Sequence, residues 1–139
     1  MPDRDQLVSV LREWVAKAEN DLKTATHVLK LEQDCPTDTV CFHAQQVVEK
    51  YPKCLLVLEG IDFPKTHSLK TVIELLPDKL RPDLSVEEQR RLTDYATGAR
   101  YPGWPEVPLR EARQAVAVAR RVRREARKLL PGAAVRRRR

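Results

Sequence analysis

Leu7, Leu11, Trp14, Ala18, Leu22, Ala25 and Leu29 recur at three- and four-residue intervals, with charged residues filling the positions between them. That period puts the apolar side chains on one stripe of a helix and the charges on its solvent side. It predicts a first helix from about Arg4 to Glu32, closed by Asp34-Cys35-Pro36 because the residue before a proline disfavours helical backbone. Val40, Ala44, Val47, Tyr51, Leu55 and Leu58 continue the period in a second helix. Thr37 or Asp38 can cap its start, and Gly60 can close it. Pro52 falls inside this helix, where it removes one backbone hydrogen bond and crowds the preceding turn. The stripe keeps its phase across Pro52, so the expectation is one helix kinked near residues 48–52 rather than two helices.

A connector containing Pro64 leads to Ser68, a candidate cap for a short helix carrying Leu69, Val72, Ile73, Leu75 and Leu76, which Pro77 stops. Ser85-Val86-Glu87-Glu88 has the form of a capping box. It predicts a fourth helix to about Arg100, burying Leu92, Tyr95, Ala96 and Ala99. Three prolines and a glycine in Tyr101 to Pro108 (YPGWPEVP) predict a rigid loop. A fifth helix from Leu109 to Leu130 carries the stripe Ala112, Ala115, Val116, Ala119, Val122, Ala126 and Leu129, and Pro131-Gly132 ends it. No strand alternation or internal repeat occurs. The pattern specifies an all-α, up-and-down bundle of four to five helices over residues 1–131, followed by a basic tail, 132–139, expected to be disordered.

The chain has 139 residues, 42% hydrophobic and 33% charged, which suits one globular domain. No apolar run is long enough to span a membrane. The charged start, MPDRDQL, lacks an apolar signal region and points to the cytoplasm. Three cysteines, Cys35, Cys41 and Cys54, form no Cys-x-x-Cys pair, so reduced thiols are expected. Together with His43 they lack the paired ligands on tight turns that zinc requires, and no metal site is expected. No glycine-rich phosphate loop or catalytic triad is present, and no cofactor is implied. The net charge of +6 is uneven: residues 110–139 carry 12 Lys/Arg against 2 Asp/Glu, residues 1–109 carry 14 against 18. A second stripe on the fifth helix, Arg113, Arg120, Arg124 and Arg127, can track phosphates without reading sequence, dock an acidic partner, or be a solvated face.

The segment Cys41-Phe42-His43-Ala44-Gln45-Gln46-Val47-Val48-Glu49-Lys50 resembles the second helix of HEPN domains (higher eukaryote and prokaryote nucleotide-binding). Matches in the expected order support the resemblance. They are Trp14 with Ala18-Glu19 and Asp21-Leu22, the connector Gly60-Ile61-Asp62-Phe63-Pro64-Lys65-Thr66-His67-Ser68-Leu69, and Tyr95, Ala99, Arg100, Tyr101 and Pro102. They run from about residue 10 to residue 130. The resemblance implies a homodimer of helical bundles, pairing with a minimal nucleotidyltransferase as the toxin half of a toxin–antitoxin pair, and association with nucleotide or RNA. It also implies metal-independent RNase activity from an arginine followed, after four to six residues, by a histidine. That spacing is absent: YPGWPEV follows Arg100, and none of His27, His43 and His67 has an arginine five to seven residues before it. Whether the chain is an enzyme therefore stays open.

Three groups of residues carry candidate chemistry. Arg100 can form bidentate bonds to phosphate, and Tyr101 and Trp104 offer faces for a base; the competing role for Arg100 is pairing with helical carbonyls or an acid. His43 can transfer a proton while Lys50 or Lys53 holds phosphate, or it can simply hydrogen-bond within the bundle; Gln46 reads as a surface or interface residue. Lys65 and His67 precede a helix start, where anions are favoured, although local capping by Ser68 accounts for the same pattern. Arg100, Tyr101 and His43 are thus the catalytic candidates for an RNase with a non-standard site around Arg100, the alternative to a catalytically silent partner protein.

Overall fold

The structure, a computed structural model, describes residues 3–136. Six α-helices are present: α1 (Arg4–Leu29), α2 (Thr37–Leu58), α3 (Leu69–Leu75), α4 (Val86–Ala96), α5 (Leu109–Leu129) and α6 (Gly132–Val135). No strand occurs among the described residues. The chain reverses between α1 and α2, between α2 and α4, and between α4 and α5. Glu19 of α1 therefore meets Tyr51 of α2 and Arg127 of α5, and Glu88 of α4 meets Arg121 of α5. This is the up-and-down bundle expected from the hydrophobic period.

At the centre lies α2. Fourteen of its 22 residues are buried, so it is covered on nearly every side by α1, α4 and α5. Its backbone continues as one helix through Pro52, leaving the Val48 carbonyl without the usual donor four residues on. Burial supports this: Val47, Val48, Tyr51 and Leu55 lose about 1.5–3 kcal/mol each if they return to water, comparable with the cost of the proline. The helix ends as predicted. Gly60 adopts φ +70, Ile61 N–H donates to the Leu56 carbonyl and Gly60 N–H to Val57, which is a Schellman closure. Its start differs from expectation. Neither Thr37 nor Asp38 is the N-cap; Pro36 is, and the Thr37 hydroxyl donates 2.7 Å to the Val107 carbonyl, tying the start of α2 to the loop before α5.

Other boundaries move by small amounts. Asp3 and Gln6 form a capping box at the start of α1 that the hydrophobic pattern did not single out. The helix stops at Leu29 rather than Glu32, because Lys30 and Leu31 tighten into three-residue bonds and Glu32 turns the chain at φ 50. The capping boxes or caps at Ser68 and Ser85 form as expected. α4 ends at Ala96, not Arg100: Thr97 leaves helical geometry and Gly98–Arg100 make one 3-10 turn. At the end of α5 the stripe shifts. Leu129 is 41% exposed while Leu130, in extended conformation, turns into the core. Residues 132–135, part of the expected tail, form α6. Ala134 is buried against the bundle, and Arg12 and Arg127 donate to the carbonyls of Arg136 and Val135. Residues 137–139, the remainder of the expected tail, lie outside the described residues.

Candidate nucleotide and nucleic-acid site

The turn at Gly98–Arg100 sets the geometry. Trp104 lies so close over Gly98 that a Cβ there would stand 2.7 Å from the indole, so only glycine permits this packing. The turn projects Arg100 outward, its guanidinium carbon 4.1 Å from the centre of the Phe42 ring. Arg100 is exposed and has no carboxylate partner among the described residues. It is held by cation–π attraction, not by the ion pair or helical carbonyls that competed with a binding role in the sequence. The Tyr101–Val107 loop faces the Cys35–Asp38 entry to α2 across a cleft of ≈ 400 Å³, with Arg100, Tyr101 and Trp104 on its wall. Tyr101 is 65% and Trp104 42% exposed. A guanidinium with free N–H groups suits a phosphate, and two open aromatic faces suit a base. Asp38 and Glu106 in the same cleft can accept hydrogen bonds from sugar hydroxyls or base amino groups.

His43 also packs on the Phe42 ring, ring centres 5.3 Å apart and edge-on. Its Nδ1–H donates 2.8 Å to Asp21 of α1. That bond fixes the tautomer and leaves Nε2 as the free nitrogen. Lys50, about two turns further along α2, donates to the other oxygen of Asp21. Arg100, Phe42, His43, Asp21 and Lys50 are therefore one connected cluster. Asp21 and Phe42 stood among the family matches in the sequence, but nothing there marked them as the partners of His43 and Arg100.

The structure separates Lys53 and His67 from this cluster. Lys53 is buried, its Nζ donating 2.9 Å to Glu49 and 3.0 Å to the Thr66 carbonyl, close to the Phe63 ring. His67 Nδ1 and Gln45 both donate to the other oxygen of Glu49, and Gln46 donates to Gln45. Gln46 is thus a buried residue and not a surface one. Burial alone would raise the Glu49 carboxyl, but the bonds from Gln45, Lys53 and His67 outweigh it and hold it below its ordinary value. Eleven residues of helix place Lys53 about 16 Å along α2 from Phe42. Lys65 is exposed on the same connector. These groups clamp the connector to α2 rather than meeting Arg100.

On α5, Arg113, Arg120 and Arg124 are exposed and form no ion pair among the described residues. Arg127 is committed: it donates to Glu19 and to the Val135 carbonyl. The thiols of Cys41 and Cys54 are pushed up to about 12 by burial, which makes them inert at neutral pH. Among the described residues no cluster of three or more His, Cys, Asp and Glu side chains could hold a metal. No helix among them is long and apolar enough to cross a membrane.

The family model described as "HEPN domain" matches residues 11–129, which takes in most of α1, all of α2 through α5 and the whole Arg100–His43 cluster. The chain belongs to the HEPN domain family. Membership ties this HEPN domain to nucleotide- and RNA-related function, since HEPN domains commonly dimerise and bind RNA. No curated protein and no solved structure matches the chain.

Proposed function

We propose that this HEPN domain binds the phosphate and base of a nucleotide or RNA in the Arg100 cleft. We further propose that it does so as a cytoplasmic homodimer partnered by a minimal nucleotidyltransferase, as the toxin half of a toxin–antitoxin pair. The observation that carries the binding reading is Arg100, an exposed guanidinium without a carboxylate, seated on Phe42 at the rim of a cleft flanked by Tyr101 and Trp104. Charge-assisted hydrogen bonds contribute about 1.5–3 kcal/mol, so Arg100→Ala is expected to weaken nucleotide or RNA binding by about 10- to 150-fold. Calorimetric titration with ATP and a short RNA checks this; unchanged affinity for both refutes it. Failure of a small nucleotidyltransferase from the same organism to bind in a purified mixture would sink the partner reading.

One observation favours metal-independent RNase activity as a second reading. His43 is oriented by Asp21 with Nε2 free, and it shares the Phe42 ring with Arg100. Nε2 can take the proton from a ribose 2′-hydroxyl as that oxygen attacks the adjacent phosphorus, while the guanidinium holds the phosphate and the 5′-oxygen departs with a proton taken from water. RNA cleavage in EDTA, lost in both Arg100→Ala and His43→Ala, supports it. Cleavage by neither wild type nor variants leaves the silent partner.

A further inference from the structure

A second surface lies at the other end of the bundle, about 20 Å along α5 from the loop that carries Val107. There α1, α5 and α6 enclose a groove of ≈ 540 Å³ lined by five cations, Arg12, Lys23, Arg123, Arg127 and Arg136, against two carboxylates, Glu13 and Glu19. Glu19 is neutralised within the fold: its Oε1 accepts from Tyr51 (2.6 Å), Arg123 (2.7 Å) and Arg127 (2.9 Å), two of them cations. Only Nε of Arg123 is used in this way. The field in the groove is therefore positive, and Arg120 and Arg124 extend it along the same side of α5.

Like charges three and four residues apart on a helix repel. Arg120, Arg123, Arg124 and Arg127 form such a set, and Glu19 pairs with two of them. A bound anion would relieve what the fold leaves uncompensated. The chemistry of the lining selects the kind of anion. Protein partners are held by aromatic and large apolar anchors, whereas nucleic-acid interfaces are polar and positively charged. Apart from its charged residues the groove offers Ser9, Val15, Ala16, Ala134 and Val135, with no aromatic side chain. We propose that the α1–α5 groove seats the phosphodiester backbone of a single nucleic-acid strand, recognised by charge and not by base. This surface is separate from the Arg100 cleft and does not depend on it.

The test is fluorescence anisotropy of a labelled oligouridylate with the full chain over a range of salt. Lys23 lines the groove and Arg124 extends its charge along α5; both are exposed and unpaired among the described residues, so Lys23→Ala/Arg124→Ala should leave the fold intact. Each lost phosphate contact lowers the slope of log affinity against log salt by about 0.7 on a single strand, so the double variant is expected to lose about 1.4. Oligouridylate, oligoadenylate and the matching DNA should bind within a few-fold of one another. Wild-type slope and affinity in the double variant overturn the proposal. So does a strong base preference, or displacement of the RNA by polyglutamate as readily as by unlabelled DNA, which would mark an acidic protein surface. Arg100→Ala separates the two sites: it should remove no more than one contact from the slope, and loss of all binding in that variant alone would place the strand in the cleft instead.

Discussion

Lys53→Met tests whether Lys53 is a phosphate ligand or a structural counterion. The geometry makes it structural: its side chain is 10% and that of Glu49 5% exposed, with the ammonium 2.9 Å from the carboxylate. Removing one partner of a buried pair costs about 3–5 kcal/mol, because the remaining charge keeps its desolvation penalty and loses its attraction. His67 and Gln45 still donate to Glu49 in the variant, which brings the expected loss to about 2–4 kcal/mol. That is a large share of the 5–15 kcal/mol typical of a domain. With a urea slope of about 2 kcal/mol/M, the midpoint should fall by about 1–2 M. The same variant should bind RNA as wild type does wherever it is folded. A midpoint shift below about 0.3 M together with weakened RNA binding would refute the reasoning and return Lys53 to a ligand role. The pH dependence has a defined sign. The Glu49 carboxyl is held below its ordinary value of 4.5 in the fold. It therefore contributes stability that is present above 4.5 and lost as pH falls through the folded value. Lys53→Met should flatten that acid limb.

Further outcomes are open to direct measurement. Glu19 is likewise held low, burial being outweighed by Tyr51, Arg123 and Arg127, so Glu19→Gln should lose about 1–3 kcal/mol at neutral pH and weaken the acid dependence below 4.5; equal urea midpoints at pH 7 would contradict it. Gly98→Ala should push the Trp104 indole out of its seat, seen as a red shift of tryptophan emission in a Trp14→Phe background, with ATP affinity reduced; an unshifted spectrum would show that the turn can yield. In the native protein a thiol reagent should modify Cys35 far faster than Cys41 or Cys54, whose burial raises them to about 12, and three equal rates would argue against that burial.

The helices and their faces were legible in the sequence because each reflects local chemistry. A 3.6-residue period marks a buried stripe, Ser85 and Glu88 cap each other within one turn, and Gly60 alone accepts φ +70 cheaply. The ordered HEPN matches extended that local reading across most of the chain, and Arg100, Tyr101 and Trp104 stood out as a cation beside two aromatics in a proline-rich loop. What one residue does with another distant in the chain was not legible. His43 and Lys50 share Asp21 only because α1 and α2 pack antiparallel, and Arg100 is unpaired only because Phe42, 58 positions earlier, takes the place of an acid. Lys53 and Lys50 look alike in sequence, three residues apart on one helix. Packing alone buries one on Glu49 and leaves the other part-exposed beside His43. Gln46 looked like surface for the same reason, since periodicity cannot tell a helix covered on one side from α2, covered on nearly all. Helices α1 to α5 and the caps at Gly60, Ser68 and Ser85 were readable along the chain because they depend on neighbours within a turn, and the charge asymmetry because it is composition. Which charges are spent inside the fold and which remain free for a ligand followed only from packing, because burial and pairing are set by contacts between elements.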